Sequence, residues 1–248
     1  MCDEISDKVA LITGGARRVG RAIVEELHQN GMHVAVHYNK SEQDANRLVE
    51  TLNARRANSA FSLSAELGAI ASLSNLADAA IGWRGGVDLL VNNASSFFPT
   101  PFDRLQEKQW ENLFSSNLKG PLFLAHALRK TLKQRKGNIV NIVDIYAQRP
   151  LQNYPLYSMA KSANAMMVKS LALELAPEIR VNGVSPGAIL WPDQVSMSNQ
   201  DVEQALNKVP LSRKGEPTDI ANAVKFLACA TYVTGQILSV DGGRSLRI

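Results

Sequence analysis

The feature that most constrains the fold of this chain is a repeated alternation of short apolar runs with longer segments of helical apolar spacing. Strands that are apolar on both faces are typical of a parallel sheet covered by helices on each side. Right-handed crossovers between such strands produce a doubly wound sheet. The sequence therefore predicts an α/β fold, with residues 1–248 forming a single-domain, Rossmann-like doubly wound parallel sheet flanked by helices.

The predicted elements cover nearly the whole chain, with no repeat or linker between them. Strands are predicted at Lys8–Thr13, Met32–Tyr38, Asn58–Leu63, Val87–Asn92, Asn138–Val143, Arg180–Val184 and Gln236–Val240. Helices are predicted at Val19–Gln29, Glu42–Arg56, Ala69–Ile81, Glu107–Lys133, Tyr157–Leu175 and Thr218–Ala228. The irregular, Pro-interrupted stretch Trp191–Ser198 has two interpretations, a substrate lid or an ordinary surface loop.

Composition and charge exclude several classes of function. A formal net charge of +4, from 27 basic and 23 acidic residues, is too mild to indicate nucleic-acid binding. No apolar run reaches the roughly 18 residues of a membrane span, and the acidic N-terminus differs from a signal peptide. The two isolated cysteines, Cys2 and Cys229, give neither a disulfide framework nor metal-ligand spacing. We therefore expect a soluble cytoplasmic protein without a metal site and without a membrane or nucleic-acid partner.

The glycine-containing segment Thr13–Gly20 lies between the first predicted strand and the first predicted helix. Glycines allow the backbone to approach a phosphate, and a helix N-terminus presents free N–H donors. An NAD-specific protein would usually carry an acid at the end of the second strand, to hold the ribose diol. Here that strand ends in a polar and basic run that suits a 2′-phosphate and favours NADPH, namely His37, Tyr38, Asn39, Lys40 and Ser41.

Two further motifs contain polar side chains that are suited to binding a cofactor or to catalysis. Asn93, after the fourth strand, either locks the glycine turn beside the adenosine ribose or is an ordinary turn asparagine. Tyr157 and Lys161 are four residues apart, which places them on one face of a helix. A nearby ammonium lowers the pKa of a phenol toward the range of an acid–base catalyst. Lys161 can also reach a nicotinamide ribose.

These motifs occur in one order along residues 5–245, and in that order the chain resembles the short-chain dehydrogenase/reductase family. The resemblance implies NAD(P)-dependent hydride transfer, with Tyr157 as proton donor, Lys161 as its partner and Asn117 supporting a relay water. Two positions depart from the general pattern. Arg18 replaces the middle glycine of TGxxxGxG, and Asp144 stands where the family carries a serine.

Both departures, together with the loop Asn93–Pro101, resemble the pteridine reductases of that family. The resemblance implies that Phe97 stacks on the pterin, that Ser95 and Arg18 bind its polar edge, and that Asp144 and Tyr157 flank the reduced end of the ring. The predicted cofactor contacts are Gly14, Arg18, Val19, His37, Tyr38, Asn39, Lys40, Ser41, Glu66, Leu67, Asn93, Ala94, Ser95, Lys161, Pro186 and Gly187.

The main hypothesis is an NADPH-dependent pteridine reductase that forms tetrahydropterins from dihydropterins, with oxidised pterins and folates as further candidate substrates. Three alternatives stay open: a dihydromonapterin or dihydrofolate reductase, a carbonyl or 3-oxoacyl reductase, and an NADPH-sensing protein without activity. The second alternative would be expected to keep the serine that Asp144 replaces. The family resemblance also implies a homotetramer, with residues 241–248 at a subunit contact or near a neighbouring active site.

Overall fold

The computed structural model describes residues 5–189 and 206–247, and its strands form one seven-stranded sheet. The strand order is β3-β2-β1-β4-β5-β6-β7, and every neighbouring pair is parallel. The strands are β1 Val9–Ile12, β2 His33–Tyr38, β3 Ala60–Ser64, β4 Leu89–Asn92, β5 Asn138–Ile142, β6 Arg180–Pro186 and β7 Ile237–Val240. The predicted Rossmann-like fold is therefore confirmed.

Helices connect successive strands and cover both faces of the sheet. They are α1 Arg18–Gln29, α2 Glu42–Arg55, α3 Ile70–Arg84, α4 Glu107–Phe114, α5 Gly120–Gln134, α6 Pro155–Glu174 and α7 Pro217–Cys229. The apolar alternation explains this layering, since Leu11 and Ile12 are both fully buried but pack into apolar clusters on opposite faces. In β2, Ala35 and its neighbours Val34 and Val36 divide between the faces in the same way. Each central strand is thus buried on both sides.

The winding of the chain changes direction between β1 and β4, which are neighbours in the sheet. In open α/β sheets, ligands bind outside the carboxyl ends of the strands at such a switch point. The segments that follow β1, β4 and β5 all begin at this edge, so the topology brings the glycine turn, the loop 93–101 and Asp144 to one place.

Two features differ from the sequence-based predictions, a third prediction lies outside the described residues, and a fourth finding agrees with what the sequence indicated. The helix predicted at Glu107–Lys133 is interrupted by a π-helical turn at Ser115–Lys119. Cys229 is disulfide-bonded, which its isolated position in the sequence did not indicate. The stretch Trp191–Ser198 lies outside the described residues. No helix within the described ranges has both the length and the apolar character to cross a membrane.

Candidate active site

The glycine turn after β1 is closely packed against the first turn of α1. Gly14 has φ +61°, a conformation that favours glycine. A Cβ at Gly20 would lie 2.1 Å from the Gly14 carbonyl oxygen and 2.6 Å from Asn93 Nδ2. The glycines at both ends of this turn are therefore required by its geometry.

Asn93 and Thr13 hold the turn in place. Asn93 Nδ2 donates to the carbonyl oxygens of Thr13, at 2.9 Å, and Gly14, at 3.1 Å. Thr13 Oγ1 accepts the backbone N–H groups of Asn93, at 3.0 Å, and Ala94, at 3.1 Å. These bonds join the end of β1 to the end of β4. The lock that the sequence analysis considered for Asn93 is present, and Thr13 is a partner that it missed.

Arg18 is the first residue of α1 and is exposed to solvent. Its φ is +53°, in the left-handed region, where the side chain of an L-residue costs roughly 1–2 kcal/mol. The backbone at this position would suit glycine, and an arginine is retained there despite the strain. Strain of this kind persists where the surrounding structure enforces it, and it is common at ligand sites.

The prediction that the His37 side chain binds the 2′-phosphate is wrong, because that side chain is buried and does not face solvent. The imidazole is 1% exposed, its Nδ1 accepts the Gly14 N–H at 3.1 Å, and its Nε2 lies 3.1 Å from the Ala65 carbonyl oxygen. Burial lowers the pKa of His37 to about 4, so the ring is neutral and Nε2 carries the proton that is donated to Ala65. His37 fixes the glycine turn from beneath.

The exposed polar side chains at the end of β2 are Asn39 and Lys40, and the half-buried Ser41 precedes α2. They lie where a 2′-phosphate would meet the helix N-terminus. At the expected adenine position, Glu66 is exposed, but the Leu67 side chain is buried in the core. Leu67 therefore has only main-chain atoms to offer a cofactor. The remaining predicted contacts, all at least partly accessible, are Val19, Tyr38, Ala94, Ser95, Pro186 and Gly187.

Three of the four predicted catalytic side chains, those of Asp144, Tyr157 and Lys161, converge. Tyr157 Oη donates to Asp144 Oδ2 at 2.6 Å, and Asp144 Oδ1 accepts the Tyr146 N–H at 2.9 Å. Lys161 Nζ lies 5.7 Å from the centroid of the Tyr157 ring and donates to the Ile142 carbonyl at 2.9 Å. Since α6 presents Tyr157 and Lys161 one turn apart, both face the end of β5.

The electrostatics of this cluster differ from the sequence-based prediction. Burial first, and then the adjacent Asp144 carboxyl, raises the pKa of Tyr157 well above its usual value. Burial lowers the pKa of Lys161 to about 8, and burial raises the pKa of Asp144. The prediction that Lys161 lowers the phenol pKa is wrong for this structure, because the ammonium is directed at the Ile142 carbonyl. Tyr157 is a protonated phenol that is able to donate.

The loop after β4 carries an open aromatic surface. Phe97 stacks on Tyr154, with ring centroids 4.7 Å apart and planes at 11°, and meets Tyr157 edge-on at 4.8 Å. The Phe97 side chain is nevertheless 42% exposed, and Ser95 beside it is exposed. Tyr154 was not predicted from the sequence, since nothing in its local pattern indicates a stacking partner.

A hydrogen bond between Arg244 and Tyr146 was also not predicted from the sequence. Arg244, in the 3₁₀ turn Arg244–Leu246, donates from Nη2 to Tyr146 Oη at 3.1 Å. Its charge lowers the pKa of Asp144, opposing the effect of burial. The C-terminal segment thus reaches the site of its own chain, whereas the family resemblance implied a subunit contact or a neighbouring active site for it.

Asn117 lies in the π-helical turn and is 1% exposed. Its Nδ2 donates to the Ser96 and Leu113 carbonyl oxygens, both at 3.0 Å. Its own carbonyl oxygen accepts Asn164 Nδ2 at 2.6 Å. The side chain therefore supports the loop that carries Phe97, in addition to any role in a proton relay.

The chain is similar to known proteins along nearly its whole length. The chain is 40% identical to pteridine reductase 1 of Leishmania tarentolae, with 96% of each chain covered. It is 35% identical to the 3-oxoacyl-(acyl-carrier-protein) reductase of Staphylococcus aureus, over 95% of this chain and 97% of the relative. The crystal structure of a blue fluorescent protein from a metagenomic library, in complex with NADPH, superposes with a TM-score of 0.90 at 32% identity, covering 97% and 98% of the two chains. Because the family model described as enoyl-(acyl carrier protein) reductase also matches residues 14–245, the chain belongs to the short-chain dehydrogenase/reductase family.

Proposed function

We propose that this protein is an NADPH-dependent pteridine reductase that converts dihydropterins, and also oxidised pterins and folates, to their tetrahydro forms. The observation that carries the proposal is the Asp144–Tyr157 hydrogen bond of 2.6 Å beside the open ring of Phe97. A general carbonyl reductase of this family is expected to have a serine hydroxyl at position 144. A carboxyl there suits a substrate that carries N–H donors.

The cofactor proposal rests on the glycine turn and the end of β2. Gly14 and Gly20 allow the turn to pack closely against the N-terminus of α1, where a pyrophosphate would bind. Arg18 within this turn and Lys40 after β2 are exposed cations. No acid occupies the polar run before Glu42, so nothing there repels a 2′-phosphate. When bound, NADPH supplies the hydride.

The substrate proposal rests on shape and hydrogen-bonding capacity. An exposed ring that already stacks on Tyr154 offers a second aromatic face at Phe97 to a planar heterocycle. Ser95 and Arg18 provide a hydroxyl and a guanidinium for the polar edge of that heterocycle. The pterin ring has both an aromatic face and a donor–acceptor edge.

Proton delivery is assigned to Tyr157. Because its phenol is buried beside a carboxyl, Tyr157 holds its proton, which the hydroxyl donates to Asp144 while the Tyr157 ring meets Phe97 edge-on. Asp144 orients the phenol by accepting its hydrogen bond, and Lys161 contributes a buried positive charge behind it. Reduction leaves a substrate nitrogen in need of a proton, and Tyr157 is the donor.

The test is NADPH oxidation, followed by absorbance, with dihydrobiopterin, dihydromonapterin, dihydrofolate and an acetoacetyl thioester in parallel. We expect turnover of a pterin or folate, with Tyr157→Phe reducing kcat by roughly 100-fold or more, the usual contribution of a general acid. Arg18→Gly is expected to weaken substrate and cofactor binding while relieving backbone strain, so its unfolding temperature should not fall. Arg21→Gln, at an exposed position on the same helix, is the control. Turnover of no substrate would favour the NADPH-sensing alternative.

A 3-oxoacyl reductase is the second candidate, favoured by the 35% identity to the Staphylococcus aureus enzyme over nearly the whole chain. Reduction of the acetoacetyl thioester without reduction of any pterin would establish it. A preference for dihydromonapterin or dihydrofolate over dihydrobiopterin would identify the related reductase instead. The Asp144→Ser variant separates the two main candidates, since it should impair pterin reduction but not thioester reduction.

We also propose that the protein assembles as a homotetramer. Helices α4 and α6 expose large apolar side chains, including Trp110, Met166 and Leu173. Such surfaces are common where subunits meet. Light scattering coupled to size exclusion measures the mass, and a monomer would contradict this assignment.

A further inference from the structure

We propose that Asn164 is a positioning residue for the reaction, coupling the helix that carries Tyr157 and Lys161 to the loop that carries Phe97. The inference rests on the proposed function for its choice of substrate, whereas its geometry is independent of that choice. Asn164 lies in α6, three residues after Lys161, and is 2% exposed. Its side chain bonds to neighbours at both ends.

The coupling is made by a buried chain of side-chain amides. Asn92 Nδ2 donates to Asn141 Oδ1 at 2.8 Å, and Asn141 Nδ2 donates to Asn164 Oδ1 at 3.2 Å. Asn164 Nδ2 then donates to the Asn117 main-chain carbonyl at 2.6 Å. All four residues are buried, so water does not compete for these bonds. The chain runs from β4 through β5 and α6 to the π-helical turn.

From Asn117 the connection continues into the substrate loop. Asn117 Nδ2 donates to the Ser96 carbonyl at 3.0 Å, and the Ser96 N–H donates to Ser116 Oγ at 3.1 Å. Ser96 lies between Ser95 and Phe97, the two residues assigned to the substrate. Movement of the π-helical turn relative to α6 would therefore shift the substrate surface relative to Tyr157.

The identity of residue 164 matters because its side-chain amide makes two hydrogen bonds of opposite direction. One end must accept from Asn141 and the other must donate to the Asn117 carbonyl, and an asparagine side chain does both. An apolar side chain would leave a buried donor and a buried acceptor without a protein partner, which is costly. Asn117, whose main-chain carbonyl accepts from Asn164, is also the residue that by the family resemblance supports a relay water. Asn164 thus holds both the loop and that carbonyl.

The first test compares Asn164→Leu with Asn138→Leu. Asn138 is a matched control, because it is also buried, its Nδ2 donates to the Leu227 carbonyl at 2.9 Å, and it begins β5 at the opposite edge of the sheet. Both variants should unfold at a lower temperature. Only Asn164→Leu should lower kcat/KM for a dihydropterin, by roughly 10- to 100-fold, the effect of a small misplacement of reacting groups. NADPH affinity, measured by fluorescence, should change little in either variant.

The second test uses protonation to restore the bond. In Asn164→Asp, a protonated carboxyl can accept from Asn141 and donate to the Asn117 carbonyl, whereas a carboxylate cannot donate. Activity relative to the wild type at the same pH should therefore be near normal at low pH and fall as pH rises. Because Asp144, Tyr157 and Lys161 titrate in both proteins, the ratio isolates the new carboxyl. Asn138→Asp should lose stability with rising pH but keep a constant activity ratio.

The outcomes separate this inference from the proposed function. If the wild type reduces no dihydropterin but reduces the acetoacetyl thioester, the proposed function fails, and the Asn164 variants are measured with the thioester. If Asn164→Asp follows the wild type at every pH, or Asn164→Leu loses no more activity than Asn138→Leu, Asn164 is merely structural and the inference is overturned.

Discussion

The ionisation of Tyr157 depends more on burial and on Asp144 than on Lys161, which lies four residues later in the same helix. An ammonium one helical turn away would favour the phenolate if it faced the hydroxyl. Here the hydroxyl faces Asp144 and the ammonium faces the Ile142 carbonyl. The result is a phenol that keeps its proton and a lysine that loses its own more readily than usual, which suits proton donation in a reduction.

From the ionisation of these residues we predict that activity has an alkaline limit, which means that it falls above a certain pH. Burial lowers the pKa of Lys161 to about 8, and the Asp144 carboxylate acts in the opposite direction. kcat/KM for NADPH, which reports ionisations of the free enzyme, should therefore fall as pH rises through about 8. Asp144→Asn removes the opposing charge and should move this limit to lower pH by about 1 unit.

The control is Asp103→Asn, since Asp103 is exposed and its ion pair with Arg104 is also exposed. Its pH profile should match that of the wild type. An alkaline limit that stays in place in Asp144→Asn would show that Asp144 does not influence Lys161.

Residue spacing placed Tyr157 and Lys161 on one face of a helix, because helical repeats do so without knowledge of the whole fold. The resemblance to the family added Asp144 and implied the catalytic roles. The local pattern did not predict the burial of His37, since a histidine at the end of a strand beside polar residues has the same local pattern whether it faces solvent or a turn. Only the contact with Gly14 distinguishes the two. Asn164 was not predicted either, because its contacts with Asn141 and Asn117 do not follow from its local sequence.

Among the elements, the junction of β1 and α1 allows the least variation. The N-terminus of α1 reaches the turn only because Gly20 has no side chain, and Asn93 closes the remaining space. This close approach leaves the first N–H groups of α1 available for a phosphate.

We predict that Gly20→Ala abolishes most NADPH affinity. The added Cβ would meet the Gly14 carbonyl oxygen at 2.1 Å, so the turn must move, at a cost of about 1–3 kcal/mol in stability. Gly82→Ala is the matched change, because nothing lies within 4 Å of its new Cβ in α3. It should stabilise the protein by about 0.5–1 kcal/mol and leave NADPH binding unchanged.

Fluorescence titration with NADPH and urea unfolding of the three proteins provide the two measurements. Normal NADPH affinity in Gly20→Ala would show that the cofactor is not seated on this turn.

The break between α4 and α5 is an element boundary that the pattern of apolar residues does not predict. Apolar spacing continues through residues 107–133, so the pattern predicts one helix. The π-helical turn inserts extra residues at a point where Gly120 approaches Leu67 closely, with a Cβ at Gly120 lying 2.9 Å from the Leu67 carbonyl oxygen. Side-chain bonds of Asn117 to Ser96 and Leu113 replace part of the helical pattern. The contacts with Leu67 and Ser96 are tertiary, and local spacing does not indicate them.

For the molecule as a whole, the fold was predictable because apolar alternation extends along nearly the entire chain and admits few topologies. The two apolar layers leave little room for charge, and buried histidines in such layers remain neutral. His28, on α1, bonds to Ser59 Oγ at 2.7 Å, and His37 bonds to Gly14. Burial lowers the pKa of each from 6.5 to about 4, so the fold as a whole should be sensitive to acid.

We predict that the protein loses stability as pH falls from 6.5 to about 4. The unfolded chain binds protons at both histidines in this window, whereas the folded chain excludes them, so the free energy of unfolding decreases with falling pH. Above pH 6.5 neither state is protonated and this contribution is complete. For the nearly inaccessible His37, the full loss by pH 4 is about 3 kcal/mol. Urea unfolding at pH 7 and pH 5 measures the difference.

Substituting His28 separates this effect from general acid denaturation without altering the glycine turn. His28→Gln retains a polar side chain but cannot be protonated, so its stability should fall less between pH 7 and pH 5 than that of the wild type. His126→Gln, on the exposed face of α5, controls for the loss of a surface histidine. Since carboxyl groups are the same in all three proteins, an equal loss in His28→Gln and the wild type would show that His28 does not contribute to acid sensitivity.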